Sequence, residues 1–460
     1  MPVPTEPLAA VREAPTMPGV PVLGSALDIA RDLLGTQLRA MREHGDVVRF
    51  SAGPPGARVV LHGVFAPEGV HHVLAGASSR YRKDNRLYDE LRTAFGDGLL
   101  TSQDDRWLRQ KRFLQPLFTH TQVAQYVPAM AAEAGELVQR LATAARAGTD
   151  VELHGQTSLL TLRVVGRVLL GSDLDAALPV LRTMLPALSE DLRRRGFSPL
   201  PTPSGWPTPL NRRAARHRAA LHAAVDELVT VRRTSGGDDD LLGRLLAARD
   251  DGGGSGLTDD EVRDQVLIFL FAGSDTTATA LTAALHLLGS HPEVQEQAHD
   301  EVRAVLDGRE PTAADLAALP CLTAVVKEAL RLYPPAYGTG RRLTGGDDEI
   351  GGVRIPDGAD VAVSPWVTHR HARHWDEPER FDPSRFTPER EAARHRYAWF
   401  PFGGGPRACI GAHFALLEAL TALCAVLTAY RVETPDRPIP VVPKITLQPA
   451  GPVLARLIPR

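Results

Sequence analysis

The chain has 460 residues, 43% hydrophobic and 23% charged, which is the composition of an ordinary globular protein with ample material for a core. Length alone sets a prior of about three domains at roughly 150 residues each, and a net charge of −3 excludes a general nucleic-acid binder, which would be basic. Three cysteines, Cys321, Cys409 and Cys424, form no disulfide framework and fit a reducing compartment. No uninterrupted apolar run of about 18 residues stands out, and the N-terminus lacks a basic region followed by an apolar core. The expectation is a chain without a transmembrane helix or a signal peptide.

Taken in order, residues 1–24 are rich in proline and read as an extended lead-in. Residues 46–66 alternate and are β-branched around a Pro-Pro-Gly turn, which predicts a strand hairpin. Residues 80–100 read as a mixed loop containing Arg86, Leu87, Tyr88, Leu91 and Phe95. Loops of that length inside a compact domain are usually functional. Residues 105–118 read as a helix with Trp107 and Lys111 one turn apart on one face, while Arg109 and Arg112 suit a solvated basic face. From 124 to 192 the pattern is helical and rich in alanine and leucine. Residues 196–209 break it with five prolines, 212–233 resume a basic amphipathic helix, and 235–240 and 250–256 are linkers by composition.

Thr258 followed by Glu261 is a capping box that opens a helix running to about Ser290, before Pro292. Its middle reads Phe271-Ala272-Gly273-Ser274-Asp275-Thr276-Thr277. A glycine mid-helix costs about 1 kcal/mol relative to alanine, and clustered hydroxyls can bond back to the helix and bend it. Helicity alone would not select such a run. Glu328 and Arg331 lie one turn apart on a later helix, an ordinary ion pair if exposed. Beyond Pro334-Pro335 come Ala336, Tyr337 and Arg341, with strand-like segments to about Ser364. His369, His371 and His374 cluster, but no cysteines lie near them, so they read as surface or structural residues rather than a zinc site.

The stretch from Phe400 to Tyr430 passes through three consecutive glycines, places Cys409, and then becomes a long apolar helical pattern. Its opening, Phe402-x-x-Gly405-x-Arg407-x-Cys409-x-Gly411, resembles the cysteine loop of the cytochrome P-450 superfamily, the heme-thiolate monooxygenases. Each position has its own physical role there. Cys409 can supply a thiolate to iron, and the free N–H groups of the helix that follows favour its negative charge. Glycine lets backbone approach a flat macrocycle, Arg407 is a fork donor suited to a carboxylate, and Phe402 would keep water from the sulfur. Five fixed positions in ten residues outweigh the bland reading of Cys409 as a buried small hydrophobe.

The resemblance runs along nearly the whole chain and implies a mainly α, single-domain cytochrome P-450-like fold over 1–460 with a minor β-region. It implies heme b, ligated by Cys409 and held by Trp107, Lys111, Arg341, Phe402, Gly405, Arg407 and Gly411. At Lys111 the family commonly carries arginine, so the bidentate grip on a propionate is lost. Asp275 and Thr276 match the acid–alcohol pair that delivers protons to dioxygen. The distal pocket would be formed by Leu87, Tyr88, Leu91, Phe95, Phe271, Ala272, Ala336, Tyr337 and Ile445, with Arg86 the one charge nearby. Glu328, Arg331 and Arg385 (from Pro383-Ser384-Arg385-Phe386) match a buried structural triad, and 196–209 a lid. The implied activity is insertion of one oxygen atom from O2 into an apolar terpenoid, steroid or macrolide, in the cytoplasm and in secondary metabolism. A peroxide-dependent or rearranging enzyme and a heme-binding sensor are the alternatives. No nicotinamide- or flavin-binding loop is present in the sequence. Electrons are therefore expected from a ferredoxin or flavodoxin, with Arg109 and Arg112 as candidate contacts; no nucleic acid and no membrane anchor are expected.

Overall fold

The computed structural model describes residues 12–56, 58–171, 174–196, 203, 205–235, 240–248 and 256–460. The fold is mainly helical with small sheets, and it divides into two compact units. One comprises the chain up to Asn85 with Tyr337–Glu379 and Ala393–Ala408; the other comprises Arg86–Ala336, Arg380–Ala392 and Cys409–Arg460.

Among the described residues the longest helix of the first unit is α1 (Leu33–His44), and the unit also carries a five-stranded sheet. Its strands are β1 (Val47–Ala52), β2 (Val59–Val64), β3 (Tyr81–Arg82), β4 (Thr339–Leu343) and β5 (Asp360–Val363), in the order β1-β2-β5-β4-β3. The hairpin expected over 46–66 is β1 antiparallel to β2, with Val47 opposite Val64 and Phe50 opposite Leu61. The chain reverses there because Gly53 and Gly56 both take positive φ. Val47, Val64, Leu343, Val361 and Val363 form one buried cluster with Tyr397 and Phe400. Each such side chain contributes roughly 1.5–3 kcal/mol on burial. From residue 12 the lead-in runs without helix to Val20 and then turns at 21–23, where Val22 takes positive φ, and Arg12 pairs in parallel with Val353; residues 1–11 lie outside the described residues.

The second unit is helical. The stretch read as a loop over 80–100 contains instead α2 (Arg86–Phe95). Tyr88, Leu91 and Phe95 fall on one face, and all three are buried. A ten-residue helix is marginal by itself, so it is this packing that stabilises it. There follow α3 (Asp104–Leu114), α4 (Val127–Ala147), α5 (Leu153–Leu170), α6 (Leu174–Gly196) and α7 (Pro209–Ser235). Of the expected lid, residues 197–202 and 204 lie outside the described residues, as do most of the linkers, 236–239 and 249–255.

The central helix is α8 (Asp259–Ser290), 32 residues and therefore about 48 Å long at roughly 1.5 Å per residue. Its capping box is formed: the Glu261 N–H donates to Thr258 Oγ1 at 3.2 Å, and the Thr258 N–H to Glu261 Oε2 at 3.0 Å. Thr161 Oγ1 of α5 donates to the Ser274 carbonyl at 2.8 Å, and Thr157 Oγ1 to that of Ala278 at 3.2 Å. A Cβ on Gly273 would come within 2.9 Å of Val165, so this glycine lets α8 close on α5. The remaining helices needed below are α9 (Pro320–Leu332) and α10 (Ala412–Ala429). By length and composition alone, α8 and α10 are each apolar enough to cross a membrane, although neither is an uninterrupted apolar run. Those apolar windows are 67% and 61% buried within the protein, and a helix that is apolar all round is what a core position selects.

Candidate active site

The hydroxyl-rich middle of α8 bends its side chains back onto the helix. Thr276 Oγ1 donates to the Ala272 carbonyl at 2.6 Å, and Ser274 Oγ to that of Leu270 at 2.6 Å. The Asp275 side chain reaches out from the helix and is held by a hairpin of β6 (Val441–Pro443) and β7 (Leu447–Pro449). Thr446 Oγ1 donates to one of its oxygens, and Gln448 Nε2 lies 2.7 and 2.9 Å from the two. No local pattern in the sequence points to this arrangement, since the partners are 171 and 173 residues away.

Among the residues expected to line the distal pocket, Phe95 and Phe271 stack, with centroids 4.4 Å apart and planes at 24°. Tyr88 and Leu91 are buried on α2, Leu87, Ala272 and Ile445 are half-buried, and Ala336 is exposed. Tyr337 belongs to the first unit, where burial pushes its phenol pKa up and its carbonyl accepts from the Ser364 hydroxyl at 3.0 Å. Arg86 is not the one charge in this region. Its guanidinium donates to the Arg195 carbonyl at 2.6 Å, and Arg195 forms a buried ion pair with Glu90 at 2.6 Å. That pair lines a cavity of about 270 Å³ with Leu188, Leu192 and Asn211, which includes none of the nine expected pocket residues.

The segment that precedes the cysteine in sequence, up to Ala408, belongs to the first unit. Gly405 has φ +64°, and a Cβ there would overlap the Leu74 carbonyl oxygen at 1.9 Å, so only glycine fits. Arg407 ends the 3₁₀ turn Gly405–Arg407, and Phe402 packs edge-on against Trp399 at 6.4 Å. Arg341 is buried on β4 and donates to Thr339 Oγ1 at 2.8 Å and the Gly340 carbonyl at 2.7 Å. The buried His369 accepts from the Phe400 N–H at 2.9 Å, and His371 bonds Asp46 at 3.0 Å, which accounts for two of the clustered histidines without a metal.

In the second unit Cys409 is exposed and Gly411 caps α10. Cys424 is buried and Cys321 half-buried, and burial pushes their thiols up to about 12 and about 11. Lys111 Nζ lies 5.0 Å over the Trp107 ring, one turn apart on α3. Arg109 Nη1 lies 3.0 and 3.2 Å from the two Glu261 carboxylate oxygens and Nη2 donates to the Gly256 carbonyl at 2.8 Å, tying α3 to the start of α8; Arg112 is exposed.

Glu328, Arg331 and Arg385 meet. Arg331 forks onto Glu328 at 2.6 and 2.8 Å with both side chains fully buried, and Arg385 Nε lies 3.4 Å from Glu328 Oε1. The Asp382 N–H donates to the same oxygen at 2.9 Å, and Arg331 donates to the Arg380 carbonyl at 3.1 Å.

One buried carboxyl escaped the sequence reading, because on α10 it stands in an apolar run. Glu418 is 1% exposed, and burial pushes its pKa well above the carboxylate range, opposed only by the Thr277 side chain of α8. Between the ordinary glutamate value and the raised one, the folded protein keeps a proton that the unfolded chain has released. Stability therefore falls as pH rises through that window. Glu418→Gln removes this cost. In paired denaturation series from pH 5 to 8, the variant is expected to gain stability relative to the parent as pH rises, and a constant difference would contradict a protonated Glu418.

The family model for cytochrome P450 matches residues 15–455. The chain belongs to the cytochrome P450 family. It is 36% identical over 428 residues to a cyclooctat-9-en-7-ol 5-monooxygenase of Streptomyces melanosporofaciens, which covers 92% of this chain and 90% of that protein. It is 37% identical over 423 residues to a pentalenene oxygenase of Streptomyces avermitilis, 91% of each. Among solved structures, the cytochrome P450DA heme domain aligns with a TM-score of 0.87 and 28% identity over 98% of both chains. This P450 is thus an oxidoreductase of the monooxygenase type, and membership implies a heme-iron cofactor, O2, an apolar substrate and a redox partner. The residues present fit that cofactor. The cysteine of the family spacing is the exposed one of three and so is open to a ligand, and among the described residues no group of three or more His, Cys, Asp or Glu gathers as a rival metal site.

Proposed function

We propose that this P450 inserts one oxygen atom of O2 into a mostly hydrocarbon terpenoid of bacterial secondary metabolism, in the cytoplasm, with heme b and an external ferredoxin- or flavodoxin-type donor. The observation that carries the reading is the apolar stack of Phe95 on Phe271, with Leu91 buried on the same helix as Phe95, where a carboxylate would lose much on desolvation. The two relatives named for cyclooctat-9-en-7-ol and pentalenene support the same class.

Bound heme supplies the iron at which dioxygen is activated. Cys409 would ligate it as a thiolate, with Phe402 keeping water from the sulfur and Gly405 and Gly411 letting backbone come close. Trp107, Lys111, Arg341 and Arg407 would hold the propionates. Asp275 would pass protons inward from solvent. Thr276 already gives its own proton to the Ala272 carbonyl, so its oxygen lone pairs are left to accept from a water and hold it in place. Phe95, Phe271, Tyr88, Leu91 and Leu87, with Ala272, Ala336, Tyr337 and Ile445, would contact substrate.

A titration with pentalenene, cyclooctat-9-en-7-ol, a steroid, a macrolide and a long-chain fatty acid tests the substrate class. The terpenoids are expected to shift the Soret band to shorter wavelength. A response confined to the fatty acid, lost in Arg86→Ala, would overturn the apolar reading. For the α8 pair, Thr276→Ala is expected to leave ligand titration unchanged while diverting electrons into hydrogen peroxide. Asp275→Asn is expected to slow turnover roughly 100-fold or more. An unaltered ratio of product to electrons in Thr276→Ala would remove that hydroxyl from the mechanism.

A further inference from the structure

The side chain of Asp275 does not face open solvent alone; it is docked on the hairpin that carries Ile445. Thr446 is buried and donates to one carboxylate oxygen, and Gln448 spans both at 2.7 and 2.9 Å. Hydrogen bonds to a charged acceptor are the stronger kind, each equivalent to roughly a tenfold bias or more. The hairpin is also fastened on its other edges. Thr279 Oγ1 of α8 donates to the Leu447 carbonyl at 3.0 Å, and the Leu447 N–H donates to the Pro335 carbonyl at 2.8 Å. Pro335 directly precedes Ala336, so one short hairpin is bonded to α8, to Asp275 and to the segment leading to an expected pocket residue.

The tip of that hairpin is Lys444, Ile445 and Thr446, closed by the Lys444 N–H donating to the Thr446 carbonyl at 3.0 Å. Ile445 is half-buried and adjacent in sequence to the residue whose hydroxyl holds Asp275. A displacement of Ile445 therefore cannot leave Thr446 where it is, because the tip is a closed turn. Two further titratable groups lie near. Burial lowers the pKa of His154, the Asp275 and Glu152 carboxylates oppose that shift and Lys444 at the hairpin tip reinforces it, and the His154 Nδ1 is engaged by Thr282 at 3.2 Å.

We propose that Thr446 and Gln448 are positioning residues for Asp275: they hold its carboxylate on the hairpin, and pressure on Ile445 at the tip releases it to carry protons. The inference rests on the reading that Asp275 feeds protons inward. Its consequence is that proton delivery is tied to occupancy of the pocket by a residue that never touches the proton path.

The test uses the heme-loaded full chain. Isotope-edited infrared spectra of protein labelled with ¹³C-aspartate, with the Asp275→Asn spectrum subtracted, isolate the Asp275 carboxylate band. Without substrate, the band is expected to shift in Thr446→Val/Gln448→Leu, to shift in the same direction in Ile445→Trp, and to stay in place in Thr446→Ser, which keeps the hydroxyl. With a plant-type ferredoxin and its reductase as surrogate donor and no substrate, oxygen uptake is expected to rise about tenfold in the double variant. Each O2 then takes two electrons from the donor and two protons and leaves as hydrogen peroxide. A band that does not move in the double variant, or one that moves while substrate-free uptake stays at the parent rate, overturns the proposal. An Asp275→Asn enzyme that turns over at the parent rate overturns the assignment of Asp275 itself, and this inference with it.

Discussion

Cys409→Ser is expected to abolish the red-shifted carbon monoxide band of the reduced protein, while Cys321→Ser and Cys424→Ser retain it. The reason lies in which sulfur can be a thiolate at neutral pH. Burial holds Cys424 at about 12 and Cys321 at about 11, so both remain protonated thiols. Cys409 is exposed and stands just before α10, an 18-residue helix whose leading N–H groups favour negative charge nearby. Serine offers a hydroxyl that does not ionise in this range, so the effect is loss of the band rather than a graded shift. Reduced carbon monoxide difference spectra of the three variants decide it. Retention of the band in Cys409→Ser would place the ligand elsewhere.

The second large effect is on stability. Arg331→Met removes the forked partner of the fully buried Glu328 and leaves Arg385, with Nε at 3.4 Å, and the Asp382 N–H beside its charge. Breaking a buried pair from one side costs roughly 3–5 kcal/mol, because the surviving ion keeps its desolvation penalty. Against a total stability of about 5–15 kcal/mol, that is a substantial fraction. Denaturant unfolding of Arg331→Met is expected to show a loss of this order. The double change Glu328→Gln/Arg331→Met removes the orphaned charge along with its partner and is expected to recover part of the loss. A single variant within about 1 kcal/mol of the parent would show that the pair is not a structural clamp, since exposed pairs contribute no more than that.

Local chemistry written in the sequence settled a good deal. Thr258 and Glu261 three residues apart are enough to start α8, because the cap satisfies orphan N–H groups within one turn. The alternating segment around Pro54-Pro55 gives β1 and β2, since the pleat itself has a period of two. The spacing Phe402 to Gly411 identified the family before any coordinates, because a cysteine, a fork donor and obligatory glycines in ten residues serve few other purposes. Tertiary structure decided what depends on partners far along the chain. The segment over 86–95 reads as a loop until burial of Tyr88, Leu91 and Phe95 makes it a helix. Arg109 looks like a solvated charge until Glu261 arrives beside it from 152 residues away. Glu418 reads as one polar residue in an apolar helix, and only packing against α8 removes its water and raises its pKa. The dock for Asp275 is a meeting of α8 with a hairpin more than 170 residues later, and hydrogen bonds of that range leave no trace in local spacing. Sequence patterns record the partners a residue has within a turn or two of chain; what lies across the fold is fixed by packing alone.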